Sequence, residues 1–147
     1  MVKIVASNRR ARHDYDITDT VEAGIILTGQ EVKSCRAGTV NLSGAYVSFL
    51  GGKPVLKNST IARYAHASNL SDYDPGRDRE LLLSKRDIER MQSRVNEQGV
   101  TIIPLEVRAA RYIKVVLGLA KGRSRVDKRQ KIKEKDIRKR MKKGEEY

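Results

Sequence analysis

Apolar and polar positions alternate through much of the chain, and that alternation predicts strands before any other signal is weighed. Residues 15–28 read as two extended pieces. Ile17 and Val21 mark the first, and Ala23-Gly24-Ile25-Ile26-Leu27 the second, with Gly24 expected to be a bulge. Residues 30–36 suit a short helix ended by Gly38, whose backbone tolerates the left-handed conformation. Alternation returns in Ala45-Tyr46-Val47-Ser48-Phe49, Gly51-Gly52 supplies a hairpin turn, and residues 54–59 form the return strand. Residues 62–80 are polar and irregular around the turn Asp74-Pro75-Gly76. Ser84 then reads as a helix N-cap with Asp87 three residues on. Ile88, Met91 and Val95 follow at helical spacing, and Gly99 closes the helix. Two strands complete the pattern, one with Ile103, Leu105, Val107 and Ala109 on a single face, the next with Ile113, Val115, Leu117 and Leu119. A tight turn near Ala110-Arg111 joins them, and both apolar sets are expected on one buried side.

The count is about six strands with two or three helices. Short strands with glycine-marked bends predict a mainly β fold with flanking helices, an OB-like closed barrel of six antiparallel strands. A chain of 147 residues suits one core and an appendage, divided here into a body over 1–120 and a tail over 121–147. No apolar run is long enough to cross a membrane, and residues 1–12 lack the apolar stretch of a secretory signal. A single cysteine, Cys35, excludes an internal disulfide and fits a reducing cytoplasm.

Charge changes the picture. The net charge is +13, from 31 Lys+Arg against 18 Asp+Glu. Residues 121–147 carry 13 of the basic groups and 5 of the acidic ones, so the tail holds +8 and the body +5. Such a field attracts polyanions, nucleic acid first and an anionic membrane surface second. A tail this basic repels itself and is expected to be disordered alone, folding as a helix once phosphates neutralise it. Its apolar residues, Val126, Ile132, Ile137 and Met141, make no continuous helical stripe.

Three clusters carry candidate chemistry. In Asn8-Arg9-Arg10-Ala11-Arg12-His13-Asp14-Tyr15, arginine forks suit phosphates or base edges, while His13 or Tyr15 suits stacking on an unstacked base. The plainer alternative is a solvated helix lead-in with Tyr15 in the core. The second cluster is Arg77, Arg79, Lys85 and Arg86 around Leu81-Leu82-Leu83. Extended neighbours alternate in direction, so one leucine points outward, either to pack on a nucleobase or as a partly buried edge residue. The third is the tail, whose binding to phosphates is expected to weaken steeply with salt.

Catalysis finds no support. His13 and His66 are the only histidines, and no phosphate-binding glycine loop occurs. Glu22, Glu31 and Asp74 lack metal-pair spacing, and His13 beside Asp14 is expected to form no dyad, since strand neighbours point apart. Cys35 reads as a core filler, and neither metal nor cofactor is expected.

These residues resemble small protein B, the tmRNA-binding (SsrA-binding) family of bacteria. The blocks run in order: Asn8-x-x-Ala11-Arg12-His13-x-Tyr15; Glu22-Ala23-Gly24; Gly29-x-Glu31-Val32-Lys33-Ser34-x-Arg36-Ala37-Gly38 with Asn41; Asp74-Pro75-x-Arg77-x-Arg79-x-Leu81-Leu82-Leu83; Ala120-Lys121-Gly122; and Asp127-Lys128-Arg129. One block is weak evidence, whereas six in sequence are specific. The resemblance implies a non-enzymatic, monomeric, cytoplasmic RNA-binding protein that takes the tRNA-like domain of tmRNA to stalled ribosomes for trans-translation. It implies that the body replaces the anticodon side of a tRNA at the small-subunit decoding centre, while the tail enters the empty mRNA channel of 16S rRNA as a helix. Elongation factor Tu and alanyl-tRNA synthetase are implied as partners through tmRNA. By matched position, Asn8, Glu22, Lys33, Arg36, Arg77, Arg79 and Leu82 are implied on the tmRNA side. His13, Lys121, Gly122, Asp127, Lys128, Arg129, Lys131 and Lys133 are implied on the ribosome side. Three departures stand out: Val126 replaces a stacking residue before Asp127, Cys35 replaces leucine, and Glu80 replaces a basic residue. The rivals are a general structural RNA binder and a tail-only binder of DNA or acidic membrane.

Overall fold

The computed structural model describes residues 2–64, 73–97 and 99–122. Nine strands and three helices are found among them. In chain order they are β1 (Lys3–Ser7), α1 (Arg9–Asp14), β2 (Tyr15–Ile25), α2 (Gly29–Arg36), β3 (Val40–Asn41), β4 (Tyr46–Leu50), β5 (Lys53–Lys57), β6 (Thr60–Ile61), β7 (Arg79–Leu82), α3 (Lys85–Val95), β8 (Val100–Ala109) and β9 (Ile113–Gly122).

The sheet overturns the closed barrel expected from the strand count. Seven strands lie in the order β1-β8-β9-β2-β7-β5-β4, and β3 pairs with β6 in a separate ribbon. All pairings are antiparallel. The sheet curls until β4 lies against β8, but no ladder joins them among the described residues, so β1 and β4 remain edges. The mainly β class with flanking helices stands.

Where the sequence suggested two extended pieces, β2 is one strand of 11 residues paired along most of its length with β9. Its irregularity falls between Ile17 and Asp19, not at Gly24, which pairs in register with both Lys114 and Leu82. A second irregularity, between Pro104 and Glu106, interrupts β8. An extra residue reverses the direction of every side chain beyond it. The four alternating residues of β8 therefore do not share a face. Val107 and Ala109 join the main core with Ile113, Val115, Leu117 and Leu119, whereas Ile103 and Leu105 enter a second cluster. That second cluster lies on the outer side of the β8–β9–β2 sheet, where Ala11 of α1 covers Val116 and Ala120. Gly118 is required between the layers, because a Cβ there would sit 2.9 Å from Leu105 Cδ1 and 3.2 Å from Ile17 Cγ2.

The local helix signals hold. Thr28 caps α2 by a reciprocal capping box with Glu31, and the Ser84 side chain accepts from the Asp87 N–H at the start of α3. Residues 46–57 form the hairpin expected around Gly51-Gly52, both at positive φ.

Candidate nucleic-acid interface

One row of paired positions crosses the open end of the outer sheet face. Ile4 on β1 pairs with Arg108 on β8, Arg108 with Lys114 on β9, Lys114 with Gly24 on β2, and Gly24 with Leu82 on β7. Directly paired residues project to the same side. Ile4 and Leu82 are accordingly exposed, at 55% and 56% of their surface. Leu82 is the outward leucine of its triplet, while Leu81 is buried. Gly24 makes room for it, since a Cβ at 24 would stand 3.2 Å from Leu82 Cβ.

Beside this row, Glu22 lies between two cations. Lys114 Nζ is 3.1 Å from Glu22 Oε1, and Arg108 Nη1 donates to Glu22 Oε2 at 3.4 Å. Arg108 Nε donates to Glu106 Oε2 at 2.8 Å, and Arg12 Nη2 approaches Glu106 Oε1 to 4.0 Å. The Arg108 guanidinium is raised above its usual value, chiefly by the Glu106 hydrogen bond, with Glu22 adding to it. An ionic chain thus runs from α1 to the open end of the sheet. Arg36, near the end of α2, reaches the same neighbourhood, its Nη2 donating to the Arg111 carbonyl at 3.2 Å.

Arg79 belongs elsewhere. It is wholly buried, donating from Nε to Glu31 Oε2 at 2.8 Å, from Nη1 to the Ser59 carbonyl at 3.2 Å, and from Nη2 to the Pro75 carbonyl at 3.0 Å. A side chain with no accessible surface cannot touch RNA, so its implied tmRNA contact is replaced by a structural role. Arg77 binds the same carboxylate from a partly exposed position, through Nε at 3.1 Å and through Nη2 to Glu31 Oε1. Burial would raise the Glu31 carboxyl, but Arg77, the Thr28 N–H and Arg79 together hold it below its ordinary value. The knot joins α2 to β7, and so joins the exposed Lys33 and Arg36 to Leu82. Cys35 lies buried nearby, its thiol pushed up to about 11 by burial and by the Glu31 charge, which suits the core-filler reading.

Asn8 is also buried, beneath α1. Its Nδ2 donates to the Leu42 carbonyl at 3.3 Å and the Pro104 carbonyl at 3.0 Å, while Oδ1 accepts from the Ala11 N–H at 3.3 Å. It anchors the helix that carries Arg10, Arg12 and His13, all exposed. His13 sits in the last helical turn, not on a strand, and its Nδ1 lies 3.0 Å from Asp14 Oδ1. The adjacent pair that strand geometry excluded therefore does meet. Tyr15 follows and pairs with Gly122, so the end of β9 lies beside the end of α1. From Tyr15 to Gly24 is nine steps along the strand, roughly 30 Å at about 3.3 Å each. His13, Lys121 and Gly122 thus gather at one end of β2–β9, and Glu22 and Leu82 at the other.

A family model described as SmpB protein matches residues 5–146. The chain belongs to the SmpB protein family. An SsrA-binding protein of Synechococcus sp. (strain JA-3-3Ab) is 46% identical over 138 residues, 93% of this chain and 90% of that protein. An SsrA-binding protein of Enterococcus hirae is 44% identical over 136 residues, 92% and 88% of the two chains. A solved structure reported as "tmRNA-SmpB: a journey to the center of the bacterial ribosome" matches with TM-score 0.69 and 44% identity, over 83% of this chain and 85% of that one.

Within this SmpB-family chain, Asp127, Lys128, Arg129, Lys131 and Lys133 lie outside the described residues, as do Val126 and His66. Arg108, Arg111, Tyr112 and Lys114 lie beside Glu22, and the sequence alone does not single them out. The signal was present but indirect, because the strand register had to be known before Arg108 and Lys114 could be set beside Glu22. Among the described residues no group of three or more His, Cys, Asp or Glu could hold a metal, and no helix is long and apolar enough to cross a membrane.

Proposed function

We propose that the folded body binds the tRNA-like domain of tmRNA on the outer sheet face and brings it to stalled ribosomes for trans-translation, with the tail acting on the ribosome. The carrying observation is the row through Arg108, Lys114, Gly24 and Leu82, with Glu22 beside it. It combines an exposed apolar side chain, cations for phosphate and an acceptor for base or ribose donors. The family and the relatives' names, SsrA-binding protein, support the choice of RNA.

Lys33, Arg36 and the exposed edge of Arg77 add charge to that side. Asn8 and Arg79 act from beneath, by fixing α1 and α2. His13, Lys121 and Gly122 serve the ribosomal end, facing the decoding centre. The tail, through Asp127, Lys128, Arg129, Lys131 and Lys133, enters the mRNA channel of 16S rRNA as a helix after being disordered in the free protein. The division into body and tail follows the charge. The protein works as a cytoplasmic monomer by binding alone, with elongation factor Tu and alanyl-tRNA synthetase joined to it only through tmRNA.

The test is competition at moderate salt. A tRNA-like RNA should remain bound in the presence of excess unrelated duplex RNA. Equal displacement by both would favour the general RNA-binder reading and count against this one.

A further inference from the structure

Beyond the Arg108–Lys114 pair the chain turns from β8 to β9 through Ala110, Arg111 and Tyr112, and a cavity of about 200 Å³ opens there. Val2, Ala110 and Tyr112 supply apolar lining, Glu22 one carboxylate, and Arg108 and Lys114 two cations. Tyr112 is 66% exposed, with the Arg111 guanidinium 5.7 Å from its ring centre. A tyrosine so placed contributes little to the core, and a solvent-facing ring beside arginine is a surface on which a base can stack.

Resting on the reading of this face as an RNA site, we propose that the cavity takes one unpaired guanine of the bound RNA. Tyr112 stacks on the base, Glu22 accepts from its Watson–Crick edge, and Arg108, Arg111 and Lys114 meet the flanking phosphates. Guanine follows from hydrogen-bond chemistry. An ionised carboxylate only accepts, and each oxygen has room for two donors. One place on each Glu22 oxygen is taken by Lys114 or Arg108, which leaves one on each. Guanine offers two adjacent donors, N1–H and the N2 amine, matched to two carboxylate oxygens. Adenine and cytosine offer one amine beside a ring nitrogen that is itself an acceptor, and uracil offers one N–H between two carbonyls. Each of these would set a lone pair against the second carboxylate oxygen. The flanking cations also explain how a carboxylate can approach a phosphate backbone: they offset its charge.

The test uses the full chain with tRNA-like-domain transcripts of tmRNA in which inosine, lacking the N2 amine, is scattered at guanosine positions. Bound and unbound pools are compared position by position. Inosine should be depleted from the wild-type bound pool at one unpaired position, and that depletion should vanish with Glu22→Gln. Affinity for unsubstituted RNA should fall about tenfold with Glu22→Gln, the worth of one charged hydrogen bond. Tyr112→Phe should bind normally and Tyr112→Ser weakly, both with wild-type melting temperatures. Should Glu22→Gln fail to fold, the wild-type inosine pattern and the Tyr112 pair still decide. Normal RNA binding with no depleted unpaired guanosine, or depletion that survives Glu22→Gln, overturns the guanine site and leaves the RNA reading standing. Failure of the wild-type protein to retain tRNA-like RNA removes both.

Discussion

Replacing Arg79 by methionine separates a structural from an RNA-contacting role for this residue. The substitution keeps bulk but removes every hydrogen bond of a wholly buried guanidinium, including two approaches of 2.8 Å to Glu31 Oε2. Glu31, itself inaccessible, is left with Arg77 and the Thr28 N–H, and the Ser59 and Pro75 carbonyls lose a donor. Removing one partner of a buried ion pair costs about 3–5 kcal/mol. That is a large share of the roughly 5–15 kcal/mol typical of a domain. Arg77→Met should cost only about 1 kcal/mol, since that side chain is 36% exposed and water screens it. The double variant Glu31→Met/Arg79→Met should recover part of the loss, because no buried charge remains unpaired.

The sign of the pH dependence follows from Glu31. Its carboxyl is held below the ordinary 4.5 in the folded state. The stability it contributes is therefore complete above that value and is lost as pH falls through the lower, folded one. The deficit of Arg79→Met against wild type should be largest near about pH 7 and shrink in acid, where Glu31 becomes neutral. Urea unfolding followed by circular dichroism at both pH values measures it. A deficit under about 1 kcal/mol, or one indifferent to acid, would refute the buried-pair account. Weakened tmRNA binding at unchanged stability would restore Arg79 as a contact.

Other substitutions probe the remaining layers. Gly118→Ala should cost about 1–3 kcal/mol by overpacking against Leu105 and Ile17, read as a lower melting temperature. Asn8→Ala removes a helix cap and two buried hydrogen bonds, for a loss of about 1–3 kcal/mol. Asn8→Ala should reduce RNA binding only in proportion to unfolding, and a binding defect in fully folded protein would make Asn8 a direct contact. Leu82→Ser should leave unfolding within about 0.5 kcal/mol of wild type, as expected of an exposed side chain, yet weaken binding in a gel-shift titration.

Local chemistry made much of this fold legible. The Gly51-Gly52 hairpin, the Ser84 cap and the outward turn of one leucine among three each depend on a few neighbouring residues. Features set by pairing were not. The irregularities at residues 17–19 and 104–106 reverse the strand faces; Pro104, with no N–H for the ladder, is a local signal for the second, and no local residue announces the first. An isolated strand glycine often marks a bulge, but the reason for Gly24 is Leu82 on another strand. Barrel closure failed similarly, since counting strands cannot tell a ladder from an edge that merely packs. Arg79 looked like part of a basic patch because a one-dimensional charge run does not reveal that Glu31, 48 positions earlier, is its partner.

The division of labour between body and tail is tested most directly by truncation after Gly122, measuring tmRNA affinity and tagging on stalled ribosomes in the same preparation. Near-wild-type affinity for the tRNA-like domain together with abolished tagging is the predicted result. A shortened protein that tags at the normal rate, or one that loses its grip on tmRNA while still folded, would contradict it.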